Sequence, residues 1–106
     1  MPPVPPPQMS DEQRAAALER AAQARRVRAE VKELLKSGSL DLQGLLDRAE
    51  EDDLIGGIKI AAVLSSMPGI GKVKAKRMME ELGIADNRRL RGLGDRQRGA
   101  LLAAFD

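Results

Sequence analysis

The stretch from Met67 to Ala75 constrains the fold most strongly, because it interrupts two segments with helical periodicity (MPGIGKVKA). Pro68 disfavours helical dihedral angles in the residue before it, so the first segment must end here. Gly69 and Gly71 permit backbone angles that other residues avoid. The sequence therefore predicts a tight turn between two helices, and the second helix begins near Gly71.

The helix that begins near Gly71 has charges that do not favour its stability. Amides in the first turn of a helix lack intrahelical partners and carry the positive end of the dipole, so carboxylates would be stabilising there. The sequence instead places Lys72 and Lys74 in this turn, followed by Lys76 and Arg77. Free amides beside cations suit an outside anion, and phosphate fits such a site well. The predicted phosphate site consists of Pro68, Gly69, Ile70, Gly71, Lys72 and Lys74.

The composition favours an all-α fold and argues against enzyme chemistry. One of the 106 residues is aromatic, whereas Ala, Leu, Arg, Glu and Lys are abundant. The chain has no cysteine and no histidine, so it lacks thiolates and the commonest acid–base group and metal ligand. The acidic run 50–53 has no regular ligand spacing and no glycine-centred calcium loop. We expect no catalytic residue, no cofactor and no metal.

The sequence contains no targeting signal for a membrane. No apolar run approaches the roughly 20 residues of a membrane span, and the N-terminus lacks the apolar core of a signal peptide. We therefore expect a cytoplasmic protein.

Charge is distributed unevenly along the chain, although the net charge is only +2. Residues 1–58 carry 8 basic and 11 acidic side chains, while residues 59–106 carry 10 basic and 5 acidic ones. The basic part is the part that contains the predicted phosphate site. Together with a pI of about 9.3, this asymmetry favours a nucleic-acid partner.

We predict a proline-rich arm followed by a single helical domain. Residues 1–9 include five prolines and should be disordered or extended. Residues 10–106 form the predicted DNA-binding domain, with a long helix over 10–37 and a helical body over 39–106. Ser10 and Gln13 have the spacing of a capping box, which predicts the start of the long helix. Its apolar stripe consists of Ala24, Val27, Val31, Leu34 and Leu35.

Basic residues line one edge of this long helix, next to the apolar stripe. Arg25, Arg28 and Lys32 share the edge at about 100° per residue, and acidic residues occupy another face. One interpretation is an ordinary solvated face. The other is a second, weaker phosphate-contacting surface, through which one monomer could touch two DNA segments or hold a bend.

The body is predicted to contain several short helices connected by glycine-rich turns. Helices are expected over 40–51, 59–66 and 71–82, with a hinge over 54–58. Gly83 should end the third of these helices in a left-handed conformation, and Asp86 should cap a short helix. An arginine cluster then follows on a turn, and it is either a solvated corner or a phosphate and groove contact. The cluster and the nearby hinge contribute Lys59, Arg88, Arg89 and Arg91 to the predicted site.

The stretch around Gly69 and Gly71 is not a nucleotide-binding loop. It lacks the P-loop spacing and the Ser or Thr after the lysine, and no strand precedes it. Residues 64–79 instead resemble a helix-hairpin-helix, through the Pro-Gly-apolar-Gly turn, the alanine at position 75 and the flanking aliphatic residues. In that motif the hairpin amides bind a DNA phosphate without reading sequence.

The resemblance extends beyond the hairpin. With Leu82-Gly83-Ile84 and residues 87–94, the region resembles the helix-two-turn-helix (H2TH) of bacterial ribosomal protein small-subunit thirteen. From Asp11 to Phe105 the chain resembles the actinobacterial integration host factors still more closely. This resemblance implies a small, monomeric, all-helical nucleoid protein that binds duplex DNA with little sequence preference and bends or constrains it. It also leaves open a partner in site-specific recombinase complexes.

The sequence thus predicts an architectural DNA-binding protein, and two alternatives remain. An RNA-binding or ribosome-associated module is compatible with the ribosomal resemblance, although the chain lacks aromatic residues for stacking on single-stranded RNA. A small glycosylase or nuclease would need a catalytic lysine and a carboxylate in a pocket, and a chain this short offers no second layer to form one.

Overall fold

The computed structural model describes residues 10–105, and these form an all-helical fold, as predicted. The proline-rich arm that we predict over residues 1–9 lies outside the described residues. The helices are α1 (Asp11–Lys36), α2 (Leu42–Glu51), α3 (Asp53–Gly56), α4 (Ile60–Ser66), α5 (Gly71–Leu82) and α6 (Asp95–Ala103), with one turn of 3-10 helix at Leu90–Gly92.

Helix α1 is long, and only its C-terminal half packs against the rest of the chain. Ser10 caps it with the predicted box, because the Ser10 hydroxyl accepts from the Gln13 amide and the Gln13 side chain accepts from the Ser10 amide. Val31 and Leu35 are buried against α3 and α4. The side chains of residues 11–21 are exposed, so the first half of α1 projects from the body. The described chain accordingly measures 59 × 31 × 25 Å.

One aliphatic core joins α1 to the body. Leu45, Ile60, Leu64 and Leu101, from α2, α4 and α6, are fully buried in it. Ala75, 2% exposed, lies where α4 and α5 pack on each other. A small residue here lets the two helices approach closely, and it thereby sets the geometry of the turn between them.

Ion pairs and a hydrogen bond from its polar side chains connect helix α6 to the body. The Arg98 guanidinium donates to the carboxylates of Asp47 and Glu50 on α2, at 3.0 and 2.7 Å. The Gln97 amide donates to the Gly83 carbonyl at 3.1 Å. Gly83 has a φ of 69° and is the predicted left-handed end of α5. These bonds hold the two turns between α5 and α6 in place.

Two local predictions for the body were wrong. Residues 54–56 of the predicted hinge instead belong to the one-turn helix α3, which Asp52 caps by accepting from the Leu54 amide. Asp86 does not cap a short helix, since the 3-10 turn begins later and its N-cap is Arg89. Asp86 instead lies in a turn that the Arg88 amide closes by donating to the Ala85 carbonyl at 3.0 Å, and residues 88–90 then pair with residues 58–60 in an isolated antiparallel bridge.

Candidate nucleic-acid interface

The hairpin between α4 and α5 has the geometry that its glycines predict. Gly69 and Gly71 have φ values of 78° and 70°, in the left-handed region. The Ile70 amide donates to the Met67 carbonyl at 3.2 Å and closes the turn. Ile70 is half-buried against the core, while Pro68 and Gly69 are exposed. The side chain of Ile70 therefore anchors the turn to the core, and the tip of the turn is open to solvent.

The start of α5 presents backbone donors without partners. No hydrogen bond formed within residues 10–105 is donated by the amides of Gly69, Gly71 or Lys72. The Ile70 amide, which we predicted as part of the phosphate site, is the one already used to close the turn. Amides at the start of a helix need either a side-chain cap or an outside acceptor. The free donors of the hairpin thus include the amides of Gly69 and Gly71, on either side of Ile70, and the amide of Lys72.

Charge at the start of α5 differs from that at the start of α1 and α2, whereas α4, with Lys59 as its N-cap, likewise has neither a side-chain cap nor an acidic residue in its first turn. α1 has Asp11 and Glu12 in its first turn, and α2 is capped by the Asp41 carboxylate. α5 has neither a side-chain cap nor an acidic residue there. Its exposed Lys72 and Lys74 lie at the positive end of the helix dipole, an arrangement that costs about 0.3–1 kcal/mol per charge. This cost is offset if an anion binds at the hairpin.

Substituting alanine for Gly71 should destabilise the domain by about 1–2 kcal/mol, because alanine is strained at a φ of 70°. No atom lies within 4 Å of the Cβ position, so the effect comes from strain and not from a clash. The same substitution at Gly99, inside α6 and also in open space, should stabilise by about 0.5–1 kcal/mol. Urea unfolding of both variants measures the two changes, and a shift of the same sign for both would contradict this description of the hairpin.

The arginine cluster is positioned by the bridge between residues 58–60 and 88–90. The Leu90 amide donates to the Ile58 carbonyl and the Ile60 amide donates to the Arg88 carbonyl, each at 3.0 Å. The bridge sets Lys59 opposite Arg89. A backbone pairing far apart in sequence therefore brings the predicted lysine and the predicted arginines together.

The three arginines of the cluster are held differently. The Arg88 guanidinium donates to the Gly92 carbonyl at 3.0 Å, and the Arg89 guanidinium donates to the Gly57 carbonyl. Arg91 is exposed and packs its stem near Gly56, where an added Cβ would lie 3.3 Å from the Arg91 Cβ. Arg88 and Arg89 are thus oriented by backbone carbonyls, and an arginine has five N–H donors, so each keeps donors for a further partner.

The basic edge of α1 borders both parts of the site. Lys32 lines a depression of about 440 Å³ together with Lys72 and Lys76 of α5. Arg28 lines another depression together with Arg89. Arg25 is exposed and lines neither of these two depressions. The edge that we predicted as a second surface is therefore contiguous with the hairpin at one end and with the arginine cluster at the other.

Lys76 belongs to this surface, although the predicted site omits it. It lies four residues after Lys72, on the same side of α5, and it lines the same depression as Lys32, together with the carboxylate residue Asp86. The spacing from Lys72 is the sequence signal that identifies it, because residues i and i+4 are neighbours on a helix. Two like charges at this spacing disfavour the helix slightly, which is a second sign that the surface receives an anion.

The part of the chain that the structure describes has neither a metal-binding cluster nor a membrane-spanning helix. Within residues 10–105, no group of three or more acidic, histidine or cysteine side chains could hold a metal ion. In the same range, no helix has the length and apolar character needed to cross a bilayer.

The fold and the hairpin together define a helix-two-turn-helix protein. The family model described as an S13-like H2TH domain matches residues 35–105. These residues run from the end of α1 to the end of the described chain, so the match includes the hairpin, the arginine cluster and α6.

Named relatives show which family of helix-two-turn-helix proteins the chain belongs to. The chain is 59% identical to an integration host factor of Mycolicibacterium smegmatis, over 94% of this chain and 95% of that protein. It is 59% identical to that of Mycobacterium tuberculosis (93% and 94% covered) and 52% identical to that of Streptomyces coelicolor (93% and 92% covered). The chain therefore belongs to the actinobacterial integration host factor family.

A solved structure has the same fold. It is described as sIHF bound to an 8bp palindromic DNA, and it matches with a TM-score of 0.80 at 49% sequence identity. The match covers 83% of this chain and 99% of that one. The all-helical fold predicted from the sequence is thus also found in an experimentally determined relative.

Proposed function

We propose that this protein is an architectural DNA-binding protein of the nucleoid, which binds duplex DNA through its backbone with little sequence preference and bends or compacts it. The observation that carries the proposal is the start of α5, where free amides and uncompensated lysines meet in an exposed turn. The DNA-bound relative supports the same partner. The role is not enzymatic, in keeping with the names of the relatives.

Phosphate contacts supply the affinity in this proposal. The amides of Gly69, Gly71 and Lys72 hold one phosphate, and the lysines at 72, 74 and 76 neutralise it and its neighbours. Arg91 and Lys59 reach the flanking backbone or a minor groove. Phosphates are the same at every base pair, so these contacts fix the position of the protein on the duplex without reading sequence.

The basic edge of α1 extends this surface. Because Lys32 adjoins the hairpin and Arg28 adjoins the arginine cluster, we infer one continuous surface that follows a single duplex. A duplex that contacts the hairpin, the α1 edge and the arginine cluster together gains more phosphate contacts if it bends towards the protein. Bending energy of a few kcal/mol can be offset by such contacts. Of the two arrangements that the basic edge of α1 allows, we therefore propose one bent duplex and not two separate DNA segments.

Replacing Arg91 with Ala should weaken binding to about the same extent on unrelated duplexes, and should reduce the slope of log affinity against log salt by about 0.9. Arg91 is the best position for this test, because Arg88 and Arg89 also bind backbone carbonyls. Fluorescence anisotropy across a salt series measures both quantities.

The matched control is Arg96→Ala, which removes an exposed arginine of α6 that lies outside the cluster. It should leave the slope unchanged. A change of preferred sequence in the Arg91 variant would contradict the backbone-contact proposal, since it would mean that Arg91 reads base edges.

A further inference from the structure

Val73 is an apolar side chain at the surface of the proposed DNA site. It is 76% exposed, and it lies between the exposed residues Lys72 and Lys74 in the first turn of α5. Among the large hydrophobic side chains of residues 10–105, only Leu18 is comparably exposed, at 65%. Leu18 lies on the projecting half of α1, far along the chain from the hairpin.

The helix directs Val73 away from the protein core. At about 100° per residue, Val73 lies about 160° around the helix from Ala75 and about 180° from Leu82, which both pack on the core. Side chains on a helix also tilt towards its N-terminus. Val73 therefore points outward and towards the free amides of the hairpin, where it has nothing of its own chain to pack against.

The other groups at this position cannot distinguish DNA from RNA. The amides of Gly71 and Lys72 and the two ammonium groups bind phosphate oxygens, which both nucleic acids carry. What differs is the sugar next to the phosphate: ribose has a 2′-hydroxyl that both donates and accepts hydrogen bonds, and deoxyribose has only hydrogens there. Covering a hydroxyl with an apolar group removes its water without replacing the hydrogen bond, which is unfavourable.

We propose that Val73 packs on the deoxyribose beside the phosphate held by the hairpin, and that this contact makes the site prefer DNA to RNA. The proposal rests on the proposed function, because it assumes that a nucleic-acid phosphate occupies the hairpin. Because the domain class resembles a ribosomal protein, a preference for DNA over RNA needs a physical cause, and the Val73 contact supplies one. The contact involves no base, so it leaves binding independent of sequence.

The test compares the wild type, Val73→Ala and Val73→Thr on a DNA duplex and an RNA duplex of the same sequence. The alanine variant should bind DNA roughly three- to tenfold more weakly, as expected for losing part of an apolar contact, and RNA less than twofold more weakly. The threonine variant keeps the shape and supplies a hydroxyl that can pair with the 2′-hydroxyl, so its preference for DNA should also fall. Leu18→Ala is the control and should change neither affinity.

The outcomes separate this inference from the proposed function. Equal losses on DNA and RNA, or no loss on either, would overturn the role of Val73 while DNA binding by the wild type stands. A wild type that fails to bind DNA would overturn the proposed function and this inference with it. Circular dichroism and urea unfolding should show unchanged folding in both Val73 variants, because the side chain is mostly exposed.

Discussion

Replacing Lys72 with Glu should weaken binding to duplex DNA roughly ten- to a hundredfold at about 0.1 M salt, while leaving the domain equally stable or slightly more stable. Binding falls because one charge-assisted phosphate contact is lost and a repulsive charge replaces it. Stability does not fall because a carboxylate in the first turn of α5 favours the dipole by about 0.3–1 kcal/mol. Anisotropy measures the binding, and thermal unfolding without DNA measures the stability.

The opposite signs of these two effects are what make the Lys72 variant informative. Arg26→Glu is the matched control, since it changes the net charge equally at an exposed position of α1 away from the basic edge. It should weaken binding only slightly, through the general field of the protein. If Lys72→Glu bound DNA like the wild type, the hairpin would not be the phosphate site. If it also unfolded, Lys72 would have a structural role that the exposed side chain does not suggest.

Replacing Leu64 with Ala should lower the free energy of unfolding by about 2–5 kcal/mol. Leu64 is fully buried in α4, the helix that leads into the hairpin, so its removal leaves a cavity under the site. A small domain has only about 5–15 kcal/mol of stability in total, and a large part of the population should unfold on mild heating. Urea unfolding followed by circular dichroism measures the loss.

Leu18→Ala provides the comparison for the core substitution, because it makes the same chemical change on the exposed half of α1. Its free energy of unfolding should stay within about 0.5 kcal/mol of the wild type. Similar losses in the two leucine variants would mean that the projecting half of α1 packs against something, contrary to the described fold. Added DNA should raise the melting temperature of both, because it binds the folded state.

Features set by neighbouring residues could be predicted from the sequence. The cap at Ser10, the end of α5 at Gly83 and the hairpin at Gly69 and Gly71 all follow from local rules for helix ends and positive φ. The same rules predicted the free amides that make the hairpin a candidate phosphate site, because they identify where a helix begins without a cap.

Features set by contacts between distant residues could not be predicted. The bridge between residues 58–60 and 88–90 joins parts of the chain about thirty residues apart, and no local pattern encodes such a pairing. The wrong assignment of Asp86 follows from missing it, since the 3-10 turn begins only at Leu90. The one-turn α3 has a local cause instead, which is the cap by Asp52. Lys32 lies beside the hairpin and Arg28 beside the arginine cluster because of the way α1 packs on the body. The apolar stripe of α1 predicts which face is buried, but not where on the body the helix packs.

Binding to the DNA backbone is tested most directly by the affinity of the wild-type protein for two unrelated DNA duplexes of about 20 base pairs across a salt series, with an RNA duplex of equal length as competitor. We expect micromolar or tighter binding that is equal for the two sequences, falls steeply with salt and is poorly displaced by RNA. Weak DNA binding would contradict this proposal, and efficient displacement by RNA would contradict it and favour RNA as the partner of the hairpin.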